Sequence, residues 1–359
     1  MRIAVTGASG NVGTAVLRAL ATIRPDDTVV GLSRRTPQSD GHAEPYRSAE
    51  WVQVDLARPE SEHVLVETFS GVDVVVHLAI AFQPMRDRRY LREVNVGGTG
   101  RVARACARAG VAHLVHMSSS GVYAPGAYGR KVDESWPRTG VSASTYSMDK
   151  AAAEDVLDEF EKLNPGVVVA RLRPGLIGQY EFGSALLRYA LPDLIPSFVV
   201  DHVPVLPIDR AFAVPAVHAD DIAVAVVRVL ERRSSGPFNV GAPTPVVAQD
   251  VAHELGARII PVPARLLTSA VHAGFTTHVL PIHHGWVALA FTTPMLDTTR
   301  AERELLWKPV MDGPDVLRET VRGMREGGAT TSPALRERSA GDRVRSFLRR
   351  GFVSRGKPS

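Results

Sequence analysis

The sequence predicts an α/β fold in which a doubly wound parallel sheet is followed by a smaller, mostly C-terminal lobe. Over residues 1–175, short β-branched apolar runs alternate with segments of helical periodicity. These runs contain few polar residues, as expected for strands that helices cover on both faces. After Gly175 the alternation ends, and residues 176–215 are rich in proline and apolar side chains without clear periodicity.

Six strands are predicted in the first part of the chain. In order they are RIAVTG, TVVGLS, WVQVDL, VDVVVHLA, HLVHMSS and VVVARLRPG. Helices are predicted at NVGTAVLRALATI, from about Arg88 to Ala109, and from Tyr146 to Leu163, where an Asn-Pro-Gly sequence ends the last of them. Further along, VHADDIAVAVVRVL predicts one more helix and PFNVG a short strand.

The predicted domain boundaries follow from this pattern. We expect a first domain at 1–175, to which 216–241 returns, and a substrate lobe made of 176–215 and 242–330. Residues 331–359 are expected to be a basic, disordered tail, because GGATTSP before it reads as a linker.

The basic charge of the chain is concentrated in that tail. Arg336 to Ser359 contains eight basic and two acidic residues, a net charge of +6; because the whole chain carries +4, the rest carries −2. This argues against a nucleic-acid groove in the folded body. Phe347, Leu348 and Phe352 interleave with the arginines, so a weak contact of the tail with an acidic membrane surface or an acidic partner is the remaining possibility.

Composition indicates a globular protein of a reducing compartment. The chain has 45% hydrophobic and 22% charged residues and a single cysteine, Cys106, which excludes an intrachain disulfide. The first strand begins at Arg2 and leaves no room for a signal peptide, so we expect a cytoplasmic protein.

Residues 266–296 contain no Asp, Glu, Lys or Arg. Pro281 and four histidines, His272, His278, His283 and His284, interrupt this stretch. We therefore predict two short apolar helices that line a pocket and no transmembrane segment. The spacing of the histidines matches no recognised ligand pattern, so we predict no metal.

Three glycines spaced three residues apart lie between the first strand and the first helix. This turn predicts a site where the helix N-terminus binds an anion, usually a pyrophosphate, and it identifies the sheet as Rossmann-type. The residues expected to line it are Gly7, Ser9, Gly10, Asn11, Val12 and Gly13.

The end of the second strand indicates which dinucleotide binds. An acidic residue about 20 residues beyond the turn usually holds the ribose of NAD. Here that position reads Ser33-Arg34-Arg35, which can bind a 2′-phosphate through charge-assisted hydrogen bonds. We therefore predict NADP(H), with NAD(H) as the alternative. Asp55, after the third strand, either accepts a hydrogen bond from adenine or caps the following segment.

Tyr146 and Lys150 lie at i and i+4 and share one face of a predicted helix. A nearby ammonium group favours the phenolate, so we expect Lys150 to lower the pKa of Tyr146 and make it a general acid/base. Three serines, at 118–120, follow the fifth strand, and a hydroxyl there can donate a hydrogen bond to a substrate oxygen.

These motifs, taken together, resemble those of the extended short-chain dehydrogenases/reductases, the NAD-dependent epimerase/dehydratase superfamily. The resemblance rests on the glycine turn, VDL, HLA at 77–79, NVGGT at 95–99, SSSGVY and YSMDK, in that order. It covers about residues 1–325 and is strongest in 1–178.

The resemblance implies a role for several residues. Ser119, Tyr146 and Lys150 match the catalytic residues, and Asn95 matches the asparagine that supports the site. Ser120 and Tyr123 would neighbour the substrate. Residues beside the cofactor would include Leu56, Leu78, Ala79 and Pro174, together with Tyr146 and Lys150. A homodimer formed through the two long helices is also implied.

The resemblance implies hydride transfer between nicotinamide C4 and a substrate carbon. RLRPGLIG after the sixth strand lacks the asparagine that many sugar-nucleotide enzymes of this family use to hold a diphosphate, and the later lobe is apolar. We therefore expect an NADPH-dependent reductase of a fairly apolar ketone, or the reverse alcohol oxidation. A nucleotide-sugar epimerase or dehydratase that retains NAD and a non-catalytic dinucleotide-binding sensor are the alternatives.

Overall fold

The computed structural model describes residues 1–37, 43–81, 87–191, 197–277, 279–339 and 341. His278 and most of the predicted tail, 342–359, lie outside these residues. The predictions made for His278 and for 342–359 therefore concern residues outside the described part of the chain.

The chain forms fifteen strands within the described residues. They are β1 Arg2–Thr6, β2 Thr28–Ser33, β3 Ala49–Gln53, β4 Val74–His77, β5 His113–Met117, β6 Lys131–Val132, β7 Val168–Pro174, β8 Leu176–Gly178, β9 Val205–Ile208, β10 Ala213–Val214, β11 Ala216–His218, β12 Gly236–Val240, β13 Val246–Val247, β14 Arg258–Pro261 and β15 Met295–Leu296.

Twelve α-helices connect or cover these strands in the described part of the chain. They are α1 Asn11–Ile23, α2 Ser61–Thr68, α3 Arg88–Arg92, α4 Gly98–Ala109, α5 Thr145–Leu163, α6 Gly183–Ala190, α7 Ala219–Arg232, α8 Ala248–Leu255, α9 Ala264–Thr276, α10 His284–Ala290, α11 Thr299–Glu304 and α12 Gly313–Glu326. A π-helix, Glu93–Gly97, joins α3 to α4.

The central sheet has seven parallel strands in the order β12-β7-β5-β4-β1-β2-β3. The chain runs outward from β1 to β3 and then returns to β4 on the other side of β1. This reversal is the topological switch point at which doubly wound sheets bind ligands, beside the carboxyl ends of their strands. The predicted α/β fold of the Rossmann type is confirmed.

Hydrophobic side chains cover both faces of the sheet. One cluster joins the sheet to α1 and α7 and includes Leu17, Phe238 and Trp307, each at most 1% exposed. A second cluster lies under α2, α4 and α5 and includes Leu65 and Phe160. Two covered faces explain why the strand sequences are apolar almost throughout.

The later lobe consists of short strands and helices. β9 pairs with β14, and β10 pairs with β13. α9 and α10 pack against each other in the stretch that lacks charged residues. Within the described ranges, no helix combines the length and the apolar character needed to cross a membrane.

The chain beyond α12 folds back onto the first domain. Ser332 and Leu335 are 0% and 1% exposed, and the Ser332 hydroxyl donates to the carbonyl of Ser9. This part of the segment predicted to be disordered is therefore packed as far as the structure describes it. Its linker-like composition gives no sign of this contact, which depends on one buried serine and one buried leucine.

Candidate active site

The glycine turn brings β1, α1 and the end of β4 into close contact. Gly7 has a φ of +72°, and a Cβ there would lie 2.7 Å from the amide nitrogen of Ala79. A Cβ on Gly13 would lie 2.4 Å from the carbonyl oxygen of Gly7. Because Gly10, at the N-cap of α1, has no side chain to occupy the first-turn amides, those of Asn11 and Val12 are suited to an anion.

Neighbouring side chains hold the turn from the other side. The amide of Gln179 donates to the side-chain oxygen of Asn11 at 2.6 Å and to its carbonyl at 2.8 Å. The carbonyl of Ser9 accepts from Ser332 at 2.5 Å. The turn is therefore held by Gln179, which follows β8, and by Ser332, as well as by its own glycines.

The loop after β2 has its polar groups arranged by local hydrogen bonds. The buried Ser33 hydroxyl donates to the carbonyl of Arg35 at 2.9 Å, and the Arg34 guanidinium donates to the Tyr90 hydroxyl at 2.8 Å. Asp55 accepts from the amide of Ala57 at 3.0 Å and from Tyr90 at 3.4 Å. Asp55 thus makes the capping hydrogen bond that was one of its two predicted roles.

The apolar residues predicted beside the cofactor lie at the carboxyl edge of the sheet or next to it. Leu78 and Ala79 follow β4, and the Leu78 amide donates to the carbonyl of Thr6 at 3.0 Å. Pro174 is the last residue of β7. Leu56 packs against Gly98, and its carbonyl accepts from the Arg101 guanidinium at 2.7 Å.

Ser119 and Tyr146 form a hydroxyl pair at the start of α5. The Ser119 hydroxyl accepts from the amide of Gly121 at 3.0 Å and is hydrogen-bonded to Tyr146. Burial raises the pKa of the Tyr146 phenol above its ordinary value, and the Ser119 hydroxyl partly opposes this. The lowering expected from Lys150 is therefore not found: burial sets the direction of the shift, and the group that opposes it is Ser119.

Lys150 is held below this pair by the main chain. Its ammonium donates to the carbonyl of Met117 at 2.6 Å, at the end of β5. Burial lowers the pKa of Lys150 to about 8, although the neighbouring carboxylates of Glu154 and Asp149 favour the charged form. The Lys150 ammonium thus lies at the end of β5, where the three serines begin.

Asn95 supports the site through a loop. In the π-helix, its side-chain amide accepts from the amide of Ala81 and donates to the carbonyl of Ala81, both at 2.8 Å. It also donates to Asp149 at 3.3 Å. Asn95 therefore holds in place both the chain at Ala81, after β4, and the carboxylate of Asp149, the residue next to Lys150.

A buried ionic network that the sequence reasoning missed lies behind the serines. Glu154 accepts from the Ser118 hydroxyl at 2.5 Å and from Arg173 at 2.6 and 2.9 Å. Arg173 also donates to the hydroxyl of Tyr123, which donates to Asn239 at 2.5 Å. The available signal was the position of Glu154, four residues after Lys150 on the same helix.

This network holds the Tyr123 side chain in a buried position. Its side chain is 1% exposed and its hydroxyl is bonded at both ends, so the structure gives it a packing role. Of the two residues predicted to neighbour the substrate, Ser120 remains directly beside Ser119, although it is also buried.

Two histidines lie buried under the site. His77 is hydrogen-bonded to Thr6 at 2.7 Å and to Thr99 at 3.1 Å, and its ring packs on that of His116. Burial lowers the pKa of His77 to about 3, with the charge of Lys150 acting in the same direction. Both rings are therefore neutral at physiological pH.

The later lobe contributes an aromatic side chain and an apolar cavity. The Trp286 ring lies over that of Tyr146, with centroids 4.9 Å apart and planes inclined by 35°. Trp286 also lines a cavity of about 300 Å³. The other lining residues are all apolar: Pro207, Ile208, Phe212, Leu267, Val271, Val287, Ala290 and Phe291.

The histidines of the later lobe contact one another. Nδ1 of His272 and Nδ1 of His284 are 3.0 Å apart, and the His283 ring lies beside that of His284. Nδ1 of His283 accepts from the amide of Gly285 and caps α10. His278, the fourth member, lies outside the described residues.

The sequence matches the NAD dependent epimerase/dehydratase family over residues 3–241. Sterol demethylase protein B of Methylococcus capsulatus is 32% identical over 227 residues, which cover 58% of this chain and 66% of that protein. A 4-hydroxy-2-methyl-3-oxo-4-farnesyl-3,4-dihydroquinoline-1-oxide ketoreductase of Stigmatella aurantiaca is 30% identical over 177 residues, 49% of this chain and 50% of that one. The chain thus spans half to two thirds of the length of these relatives.

A solved structure supports the fold assignment. The dTDP-glucose 4,6-dehydratase of Streptomyces venezuelae, determined with NAD bound, superposes with a TM-score of 0.67 at 23% identity and covers 91% of this chain and 97% of that one. The residues covered by the family match include the glycine turn, Ser119, Tyr146 and Lys150. The chain belongs to the NAD dependent epimerase/dehydratase family.

Proposed function

We propose that the protein is an NADP(H)-dependent oxidoreductase that reduces a fairly apolar ketone or oxidises the corresponding alcohol. The observation that carries this proposal is the contact between Tyr146 and Trp286, because Trp286 also lines the apolar cavity. A hydrocarbon substituent gains free energy on entering such a cavity, whereas the diphosphate of a nucleotide sugar would lose its hydration there.

The residues that follow β1 and β2 suit a dinucleotide. Gly7 and Gly13 make a turn that a Cβ at either position would fill, and α1 begins there. The Ser33-Arg34-Arg35 loop would hold a 2′-phosphate, since guanidinium groups form strong bidentate hydrogen bonds with phosphate. These two features support NADP(H) as the cofactor.

The proposed mechanism assigns each group one task. The glycine turn and the Ser33-Arg34-Arg35 loop would hold NADPH, which would supply a hydride for the carbonyl carbon. Ser119 donates a hydrogen bond to the carbonyl oxygen, and Tyr146 transfers its phenolic proton to that oxygen, which yields the alcohol. The raised pKa of Tyr146 keeps the phenol protonated at neutral pH, as a proton donor requires. The positive charge of Lys150 stabilises the phenolate that remains.

The printed names of two relatives are consistent with an apolar substrate. One is a protein of sterol demethylation and the other is a ketoreductase of a farnesyl-bearing quinoline oxide. Each is about 30% identical to this chain over part of its length, so they support the substrate class and not a particular substrate.

The test begins with the dinucleotide. Freshly purified protein is denatured, any released dinucleotide is identified by mass spectrometry, and the protein without ligand is titrated with NADPH and NADH. We expect exchangeable NADP(H) or an empty site, and tighter binding of NADPH. Stoichiometric NAD⁺ that survives dialysis would contradict the proposal and favour an epimerase or dehydratase that regenerates its cofactor internally.

A panel of ketones with increasing hydrocarbon size then tests the reaction. We expect NADPH oxidation with the apolar ketones, and loss of about 10²-fold or more in kcat for Tyr146→Phe with unchanged NADPH binding. Tyr180→Phe, which removes a hydroxyl on the later lobe, is the matched control. Equal turnover by both variants would exclude Tyr146 as the proton donor.

A further inference from the structure

One face of the two-stranded sheet in the later lobe is apolar and open to solvent. β9 and β14 are parallel, with Val205 beside Arg258 and Pro207 beside Ile260. Paired residues, and residues two positions apart on one strand, lie on the same face of a sheet. All four residues are exposed, Val205 by 42% and Ile260 by 46%. Ile208 is 9% exposed, so the opposite face is the one that packs into the lobe.

α9 extends this surface at the end of β14. The amide of Val262 donates to the carbonyl of Ile208 at 3.1 Å, and the amide of Ala264, which begins α9, donates to Asp209 at 2.8 Å. In the first turn of α9, Leu266 is 61% exposed. No residue of α9 is buried, although a helix so poor in charge normally buries one face. The exposed apolar residues at this end of the lobe are here called the apolar patch: Val205, Pro207, Ile260 and Leu266.

The apolar patch borders the cavity of the later lobe. Pro207 belongs to the patch and also lines the cavity of about 300 Å³. On α9, Leu267, the residue after Leu266, lines the same cavity. Trp286 lines it too and lies over the ring of Tyr146, with centroids 4.9 Å apart. The cavity therefore joins the apolar patch to the aromatic ring that covers the proposed proton donor.

Three arginines, Arg210, Arg258 and Arg265, flank the apolar patch. Arg258 lies on the patch face of the sheet, and Arg265 precedes Leu266 in α9. All three are exposed, and no acidic side chain in the described part of the chain forms an ion pair with any of them. Asp209, beside Arg210, accepts from two main-chain amides at 3.0 and 2.8 Å. The patch therefore lies in a region of net positive charge.

An anionic lipid bilayer has the matching chemistry. Its phosphate groups accept hydrogen bonds from arginine, and its acyl chains cover exposed hydrocarbon. A second copy of the chain matches less well, because a two-fold contact through the patch would bring both sets of arginines together without acidic partners. None of the described helices could cross a membrane, so the contact would be with the surface of one leaflet.

We propose that the apolar patch and its three arginines bind the surface of an anionic lipid bilayer, and that the cavity takes its substrate from the lipid. This inference rests on the proposed function for the apolar character of the substrate. A ketone with a long hydrocarbon substituent partitions into a bilayer, since leaving water lowers the free energy of the hydrocarbon. An enzyme docked through the residues beside its cavity receives that ketone without transfer through water.

The first test is flotation of the full chain with vesicles, without dinucleotide or ketone. The vesicles contain phosphatidylcholine alone, or phosphatidylcholine and phosphatidylglycerol in equal parts. We expect the protein to float with the mixed vesicles, to bind those of phosphatidylcholine more weakly, and to lose binding to the mixed vesicles as salt is added. Failure to float with the mixed vesicles would overturn the inference, while the ketone panel would still test the proposed function.

The I260S/L266S variant removes hydrocarbon from the patch and no charge. We expect its partition coefficient for both kinds of vesicle to fall about 10-fold or more. The matched control is L163S/V310S, since Leu163 and Val310 are 80% and 90% exposed in other parts of the chain; it should float as the unmodified protein does. Light scattering should give both variants the mass of the unmodified protein. A lower mass for I260S/L266S alone would assign the patch to a second copy and overturn the inference.

The R258Q/R265Q variant removes two charges and keeps most of the side-chain length. Each arginine near an anionic surface strengthens binding about 5-fold, so we expect about 25-fold weaker binding to the mixed vesicles and little change with phosphatidylcholine. R232Q/R303Q, which removes two exposed guanidinium groups elsewhere, should float as the unmodified protein does. If both patch variants also float unchanged, the binding belongs to another part of the chain, such as the basic residues of 336–359, and the inference is overturned.

Turnover then tests delivery of the substrate. A long-chain ketone is supplied inside the mixed vesicles, and a small water-soluble ketone is supplied without them. We expect I260S/L266S to lower the initial rate with the first about 10-fold and to leave the rate with the second unchanged, because neither residue lines the cavity. An equal loss with both ketones would show that the patch acts on the site itself and would overturn delivery from lipid. If the unmodified protein reduces neither ketone, the proposed function fails, and flotation still decides whether the patch binds lipid.

Discussion

Replacing Glu154 by glutamine tests whether the buried network behind the serines stabilises the protein. The Glu154 and Arg173 side chains are 1% and 3% exposed, and their closest atoms are 2.6 Å apart. Glutamine keeps the size of the side chain but leaves the Arg173 charge without its carboxylate. Removing one partner of a buried ion pair costs about 3–5 kcal/mol of unfolding free energy. Because Ser118 can still donate to glutamine, we expect the lower end, about 3 kcal/mol.

The assay is unfolding in urea and by heat, with Glu159→Gln as the matched control. Glu159 pairs with Lys162 on the same helix, but both side chains are about 70% exposed, so the control should lose less than about 0.5 kcal/mol. A loss of 3 kcal/mol corresponds to a fall in Tm of about 4–10 °C for a chain of this size. A loss for Glu154→Gln as small as that of the control would refute the reasoning.

The pH dependence gives a second readout of the same variant. Burial alone would raise the pKa of Glu154, but the hydrogen bonds and charge of Arg173 outweigh it, and the pKa lies below its ordinary value. The contribution of the ionised group is therefore complete above about pH 4.3, the ordinary glutamate value, and is lost as the pH falls through the lower folded value. The stability difference between the unmodified protein and Glu154→Gln should shrink on acidification in that range.

Three further predictions concern the site. Trp286→Ala should raise KM about 10-fold or more for large apolar ketones and much less for small ones, as initial rates across the ketone panel would reveal. Gly13→Ala should weaken NADPH binding measured by calorimetry at least about 10-fold, because its Cβ would lie 2.4 Å from the Gly7 carbonyl. Dinucleotide Kd should rise as the pH passes about 8, where Lys150 loses its charge, and titration of Lys150→Met should show no such rise.

Much of the first domain could be predicted from the sequence because its signals are local. Each strand of the sheet up to β7 is a short apolar run, and the glycine turn and the Tyr146–Lys150 pair are defined within a few residues. Parallel strands end at one edge of the sheet, so strand order along the chain is enough to bring Ser119 and Gly7 to the same edge.

Other features depend on contacts between distant segments and could not be predicted in this way. Arg173 meets Glu154 only because β7 lies under α5. The spacing of Glu154 from Lys150 indicates which face of α5 it lies on, but it does not identify Arg173 as the partner. The pKa of Tyr146 depends on how deeply α5 is covered, which a spacing of four residues does not reveal. The segment from Thr330 to Arg338 resembles a linker in composition, and its fixed position depends on Ser332, Leu335 and Arg188 of α6.

The hydrogen bond between Ser9 and Ser332 joins residues 323 positions apart. A chain grows from its amino terminus and domains fold as they emerge, so the glycine turn and α1 exist long before Ser332 is synthesised. During that interval the carbonyl of Ser9 lacks the partner that Ser332 later supplies, and the Tyr46 hydroxyl lacks Thr330. The glycine turn of a growing chain is therefore held by fewer hydrogen bonds than the turn of the complete fold.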